Sequence, residues 1–201
     1  AVQGVYEPGS TLKLVSTAAA LDLGIMSPKT QTICHNGYMR IRGGYVKDYK
    51  AFENITLEEV LAKSSNIGAY KIGLRVGTKR YMEYLRRFGF TRKTGIILSG
   101  EEGGWTADPG NGINFSRMTY GYGIVVTPLQ IACAYATIAN GGVRPFAGGD
   151  QEHVRAVADR AIDATRLQAV DEECLHVLVL AGAMVESRRD RFGYAWLEAL
   201  F

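Results

Sequence analysis

Ser10 and Lys13 are the first residues along this chain whose types and spacing can do chemistry together. A free serine hydroxyl is a poor nucleophile, and a lysine at its reference pKa of about 10.4 is no base near neutrality. A helix N-terminus helps with both: Pro8 and Gly9 break the chain, and residues 11–23 then run without Gly or Pro until Gly24, a C-terminal cap signal. The positive end of the helix dipole disfavours an ammonium and favours an alkoxide, and the apolar neighbours Leu12, Leu14, Val15 and Ala18 point to a buried setting. Lys13 can then accept the Ser10 proton. The plainer alternative is that Ser10 caps a core helix while the Lys13 ammonium reaches solvent.

A second pair, Ser64 and Asn66, lies 54 positions after Ser10 in what reads as a tight turn between helices. A hydroxyl there can relay a proton to or from Lys13, and an asparagine amide can hold Lys13 and a substrate carbonyl. The alternative is a capping turn, with Ser64 and Ser65 stopping one helix and Asn66 opening the next.

Composition sets the outer bounds. With 201 residues, 47% of them hydrophobic and 21% charged, the chain suits a globular protein with a real core. A net charge of +3 is too small to argue for nucleic acid, and none is expected as a partner. Cys34, Cys133 and Cys174 are odd in number and widely spaced, and His35, His153 and His176 do not cluster, so neither a disulfide framework nor a zinc site is indicated. The longest apolar run, residues 177–185, is too short for a membrane span of about 20 residues. With no initiator Met and Ala1 nine positions before Ser10, the chain reads as a fragment whose preceding part is missing.

The elements that must carry these residues follow from patterning. Residues 33–41 read as a short surface hairpin about Asn36-Gly37. Thr56 and Glu59 have capping-box spacing ahead of a short helix, and a second helix follows Asn66 to about Arg75. Thr78 is expected to cap a helix over 79–88, ended by Gly89. Residues 91–110 are loop-like around a strand candidate at 96–98, and Thr127-Pro128 opens a helix over 129–139 that is apolar on every side. Beyond Arg144 the character changes to an Ala-rich amphipathic stretch over 151–170 and an apolar segment over 174–185.

Ser-x-x-Lys followed by Ser-x-Asn is the active-site grammar of penicillin-binding proteins and serine β-lactamases. Three further stretches sharpen the resemblance: Leu57-Glu58-Glu59-Val60-Leu61-Ala62-Lys63 before Ser64, Tyr120-Gly121-Tyr122-Gly123-Ile124 through Gln130, and Tyr135-Ala136-Thr137 through Gly142. Together with Tyr6-Glu7-Pro8-Gly9-Ser10, and in this order, they resemble the transpeptidase domain of a class B penicillin-binding protein over residues 1–143, leaving 144–201 as an unassigned, mostly helical tail. The resemblance implies an α/β (α+β) fold of the penicillin-binding/serine β-lactamase-like type, present mainly as its helical part with an incomplete antiparallel sheet. It implies Ser10 as nucleophile, Lys13 as base, and Ser64 and Asn66 as relay and orienting group, with no metal or organic cofactor. The implied substrates are peptidoglycan stem peptides ending in D-Ala-D-Ala, with β-lactams as covalent inhibitors. Cell-wall synthesis proteins are the implied partners, at the extracytoplasmic face of the bacterial membrane, reached through an N-terminal anchor missing here.

The third family motif, Lys-Thr/Ser-Gly on an edge strand, is not matched at its place. Lys93-Thr94-Gly95 has the letters but lies 27 positions after Asn66, ahead of the Asn140-Gly141-Gly142 block that it should follow. It is read as a loop, no similar triplet occurs in 144–201, and little or no turnover is expected from the chain by itself. A β-lactamase, a β-lactam sensor and a non-catalytic remnant or protein-binding module are the competing functions.

Overall fold

The computed structural model describes residues 2–95, 99–110, 112–139 and 142. The expected strand at 96–98 and the whole tail from 143 onward, with its expected helices, lie outside the described residues.

At the centre lies helix α1 (Lys13–Asp22), whose residues 13 to 21 are all buried. Its three consecutive alanines, Ala18, Ala19 and Ala20, leave room for neighbours on every side. Helices α2 (Leu57–Ala62), α3 (Asn66–Val76) and α4 (Thr78–Arg87) pack against it, as does α5 (Gly112–Thr119). The chain enters α1 through a tighter 3₁₀ turn, Gly9–Leu12, so the regular helix begins later than the expected residue 11. It leaves where expected: Gly24 has a φ of 64° and its N–H reaches the Leu21 carbonyl at 3.0 Å.

The Thr56–Glu59 capping box forms in full, with Glu59 N–H donating to Thr56 Oγ1 at 3.2 Å and Thr56 N–H to Glu59 Oε2 at 2.9 Å. Thr78 does not cap α4. Gly77, at φ 85°, takes that position and also ends α3, and Thr78 becomes the first helical residue with an exposed side chain. Only glycine turns the chain so sharply here, and that geometry outweighs the threonine's capping preference. Helix α6 (Pro128–Ala139) opens on a reciprocal pair not anticipated from sequence, Thr127 N–H to Gln130 Oε1 at 2.8 Å and Gln130 N–H to Thr127 Oγ1 at 3.2 Å. Its side chains from Leu129 to Ile138 are buried except Ala132, as its apolar pattern predicts.

Strands are short and antiparallel. β1 (Gln31–Ile33) pairs with β4 (Asn54–Thr56), β2 (Tyr38–Ile41) with β3 (Gly44–Lys47), and β5 (Trp105–Thr106) with β6 (Ile124–Val125). The expected hairpin about Asn36-Gly37 is corrected by this pairing. Asn36 (φ 52°) and Gly37 (φ 80°) do turn the chain, but out of one two-stranded sheet and into another; the hairpin spans β2 and β3 about Arg42-Gly43. The mixed architecture of helices and small antiparallel sheets agrees with the expected α+β class.

Helix α5 was not legible from sequence, because Asn, Ser and Thr give it weak propensity. It forms by burying Phe115 and Met118, and Thr119 packs onto Gly73 of α3. A Cβ at Gly73 would meet Thr119 Cγ2 at 2.6 Å. Overpacking of about 1–3 kcal/mol against a helix-propensity gain of about 1 kcal/mol gives a net loss of about 1 kcal/mol for Gly73→Ala. Urea unfolding is expected to show a lower midpoint for it, while Leu74→Ala on the exposed face of the same helix stays near wild type.

Candidate active site

The turn that carries Ser10 is laced to a distant segment by backbone. Tyr6 and Val126 exchange hydrogen bonds of 2.9 and 3.0 Å, and Gly9 N–H donates to the Gly121 carbonyl at 3.0 Å. Gly121 must be glycine, since a Cβ there would stand 1.9 Å from the Gly9 carbonyl oxygen and its φ is 88°. Glu7 adds a side-chain tie, accepting from Gly123 N–H at 2.7 Å. Tyr135 of α6 donates to the Thr11 carbonyl at 3.0 Å. Four contacts therefore hold residues 6–11 before any ligand arrives.

Ser10 sits exposed on this turn, and Lys13 is buried at 1% exposure. A 3₁₀ turn eclipses residues i and i+3, which brings Lys13 Nζ to 3.0 Å from Ser10 Oγ. The same nitrogen lies 2.8 Å from Ser64 Oγ and 2.5 Å from the Ser64 carbonyl. Lys13 is thus no snorkelling surface lysine: it bridges two segments 51 residues apart.

Ser64 has a φ of 53°. A serine in left-handed backbone carries local strain, and here the conformation aims both its hydroxyl and its carbonyl at Lys13. Ser65, rather than Asn66, caps α3, accepting from Gly68 N–H at 2.9 Å. Asn66 is left available for the cleft, partly exposed, with Nδ2 donating to the Lys47 carbonyl at the end of β3 at 2.9 Å. Ser10, Lys13 and Ser64 therefore meet at one amine, while Asn66, at the start of α3, turns its amide to the Lys47 carbonyl.

Asp48 is the residue that sequence reasoning missed. Its Oδ1 accepts from Asn66 N–H at 2.5 Å and Ile67 N–H at 3.0 Å, and its Oδ2 accepts from Ser65 Oγ at 2.7 Å. A carboxylate on the first N–H groups of α3 satisfies orphan donors and opposes the helix dipole. Behind it, the buried Cys34 thiol stands 3.5 Å from Ser65 Oγ, and burial pushes that thiol's pKa up. Nothing in the local sequence around Asp48 signals these contacts, which span 17 to 19 positions.

Lys93-Thr94-Gly95 is engaged elsewhere. Thr94 donates its N–H and its hydroxyl to Glu101 Oε1, both at 2.5 Å, and Gly95 N–H reaches Oε2 at 3.2 Å. Gln130 Nε2 ties the flanks of this loop together through the Arg92 and Gly103 carbonyls at 2.7 and 2.8 Å. The triplet belongs to a closed loop latch. Burial raises the Glu101 pKa, but the bonds from Thr94 and Gly95, with Lys93 nearby, outweigh it and hold the carboxyl below its ordinary range. Among the described residues no group of three or more His, Cys, Asp or Glu can hold a metal ion, and no helix is long and apolar enough to cross a membrane.

Two measurements check this reading. Asp48→Ala strips the α3 N-terminus of its acceptor and is expected to lower unfolding stability by about 2–3 kcal/mol, the scale of hydrogen bonds to a charged group. Unchanged urea unfolding for that variant would contradict the anchoring role. A depressed folded pKa means that Glu101 contributes stability above its unfolded pKa of about 4.3 and loses it as pH falls through the lower folded value. The stability gap between wild type and Glu101→Gln should accordingly be widest near pH 7 and shrink on acidification below about pH 4.

Comparison with known proteins agrees with the geometry. The family model described as the penicillin binding protein transpeptidase domain matches residues 1–159. The chain is 36% identical over 149 residues to penicillin-binding protein PbpB of Mycolicibacterium smegmatis, covering 71% of this chain and 22% of that protein. It is 35% identical over 148 residues to peptidoglycan D,D-transpeptidase FtsI of Escherichia coli K12, covering 72% and 25%. The crystal structure of penicillin binding protein 3 from Mycobacterium tuberculosis in complex with aztreonam superposes with a TM-score of 0.71 at 30% identity, over 82% of this chain and 42% of that one. The chain thus spans about a quarter of the length of these curated relatives. With Ser10, Lys13 and Ser64 gathered about one amine and the match running through most of its length, the chain belongs to the penicillin-binding protein transpeptidase family, on the class B side that includes FtsI and PbpB.

Proposed function

We propose that this chain carries the acylation half of a peptidoglycan D,D-transpeptidase active site. The observation that supports it most is the position of Lys13 Nζ, 3.0 Å from the hydroxyl of Ser10 and 2.8 Å from that of Ser64. In this reading Lys13, in its uncharged form, takes the Ser10 proton as Oγ bonds to the peptide carbonyl preceding a terminal D-alanine. The tetrahedral adduct collapses, the C–N bond breaks, and the proton returns through Ser64 to the departing D-alanine amine. An amine from a second stem then attacks the ester and frees Ser10. The Ser10 backbone N–H provides one donor for the oxyanion, and Asn66 orients the substrate amide. A β-lactam ring acylates Ser10 by the same first step, as the aztreonam complex of the Mycobacterium tuberculosis relative suggests.

In this reading residues 1–143 carry the chemistry. Cross-linking of peptidoglycan takes place outside the cytoplasmic membrane, so this is where the chain would act, alongside other cell-wall synthesis proteins. A second reading is a module that captures β-lactams without turnover. The latch of Thr94 and Gly95 onto Glu101 favours it, because the Thr94 hydroxyl and N–H are then held away from any substrate carboxylate.

Intact-mass analysis after incubation with a fluorescent penicillin tests both. The expected result is one adduct, mapped to Ser10, absent in Ser10→Ala and formed at least about a hundredfold more slowly in Lys13→Met, the lower end of general-base contributions. A folded chain that forms no adduct refutes the acylation reading. An adduct without D-alanine release from a stem-peptide substrate selects the capture module over the transpeptidase.

A further inference from the structure

The β2–β3 hairpin beside the site has two unlike faces. Its register opposes Tyr38 to Lys47, Met39 to Val46, Arg40 to Tyr45 and Ile41 to Gly44, and directly opposed residues share a face. Val46 is buried, Met39 and Ile41 pack partly buried against the core, and Gly44 approaches Ile113. The other face holds Tyr38, Arg40, Tyr45 and Lys47, all exposed. The two tyrosine rings stack with centroids 5.7 Å apart at 25°, and Lys47 Nζ lies 5.5 and 5.0 Å from their centres. Cross-strand pairs of this kind do stabilise a hairpin modestly. That accounts for the contacts. It does not account for leaving Tyr38 at 46% and Tyr45 at 56% exposure side by side.

Charge gives the face a direction. Residues 38–50 contain Arg40, Arg42, Lys47 and Lys50 against a single acid, Asp48. Asp48 is occupied by the α3 N-terminus and Ser65, so the outward charge of the hairpin is positive. The face is also continuous with the site, since Asn66 Nδ2 donates to the Lys47 carbonyl and Ser64, two residues earlier, contacts Lys13.

We propose that this hairpin face binds the glycan strand of peptidoglycan, the sugar backbone from which the reacting stem peptide hangs; the inference rests on the acyl-transfer reading of Ser10. Flat aromatic planes stack on the C–H faces of sugar rings, and Arg40 and Lys47 complement the carboxylates of the attached peptides. A sugar polymer hung with acidic peptides meets the stacked rings and the cations together. A stem of a few residues spans at most about 3.3–3.6 Å per residue, so its sugar must lie close to the serine that acts on it. Holding the strand on the hairpin raises the local concentration of stem ends at Ser10.

The test measures binding of the full chain to soluble, uncross-linked glycan strands bearing stem peptides and to the same stem peptide freed of sugar. Polyglutamate, phosphatidylglycerol vesicles and a single-stranded oligonucleotide serve as rival anions. The glycan is expected to bind at least roughly tenfold more tightly than the free peptide, with an advantage that weakens with added salt. Tyr38→Ser with Tyr45→Ser should abolish that advantage, and Arg40→Gln with Lys47→Gln should abolish its salt dependence; the second pair keeps the test informative if the first does not fold. No glycan advantage in wild type, or an advantage intact in both double variants, overturns the proposal. So does binding of polyglutamate, vesicles or oligonucleotide as tight as that of glycan, which would assign the face to an acidic protein, a lipid surface or nucleic acid. Penicillin labelling of the same preparation separates the two readings: an adduct on Ser10 without a glycan advantage overturns only the hairpin, and a glycan advantage without an adduct overturns only the acyl transfer.

Discussion

A lysine nitrogen taken out of water and shared among three oxygens is the constraint around which this molecule is arranged. Lys13 heads a helix that is buried throughout its length, so its amine cannot reach solvent and must find partners inside. It finds them in Ser10, one 3₁₀ turn back, and in both the hydroxyl and the carbonyl of Ser64. The second set requires the chain between α2 and α3 to pass directly over the start of α1. It also requires Ser64 to adopt a left-handed backbone, a strain that neighbouring contacts must hold in place. Asp48 and the Ser65 cap supply those contacts from below, and the packing of α2 and α3 on α1 supplies the rest.

The same logic explains why some of the site could be read from sequence and some could not. Ser10 and Lys13 are three residues apart and Ser64 and Asn66 two, so each pair is a local pattern with a chemical meaning. Asp48, by contrast, acts 17 to 19 positions away, and an aspartate at a strand end carries no mark of what it will bond. Gly121 was visible only as a letter within a family block; that it must lack a side chain because Gly9 passes against it is a fact of packing. Glu101 is in the same position: its partners, Thr94 and Gly95, have the letters of the third family motif, and spacing reads them as a loop without revealing what holds them.

Secondary structure divided along similar lines. Elements with their own capping chemistry, such as the Thr56–Glu59 box and the Gly24 stop, formed where the residues predicted them. Elements that depend on tertiary burial did not announce themselves. Helix α5 has poor intrinsic propensity and exists because Phe115 and Met118 enter the core. The hairpin about Asn36-Gly37 failed for the opposite reason. The turn signal was sound, but pairing is decided by what each strand buries: Ile55 of β4 against the core beside β1, and Val46 of β3 against the core beside β2.

These contacts separate two tasks that a transpeptidase must combine. The proton-handling half, Ser10, Lys13 and Ser64, is closed by bonds within the described residues, through the 6–11 turn, the 121–126 segment and the Asp48 anchor. The Ser10–Lys13–Ser64 geometry is thus fixed by contacts within the protein itself. In the triplet at 93–95, Thr94 and Gly95 are committed to Glu101 instead. Releasing Thr94 for a substrate would mean leaving a buried carboxylate short of two donors, a larger penalty than a single new hydrogen bond returns. Thr94 therefore stays committed to the loop, just as the Lys13 amine stays committed to Ser10 and Ser64.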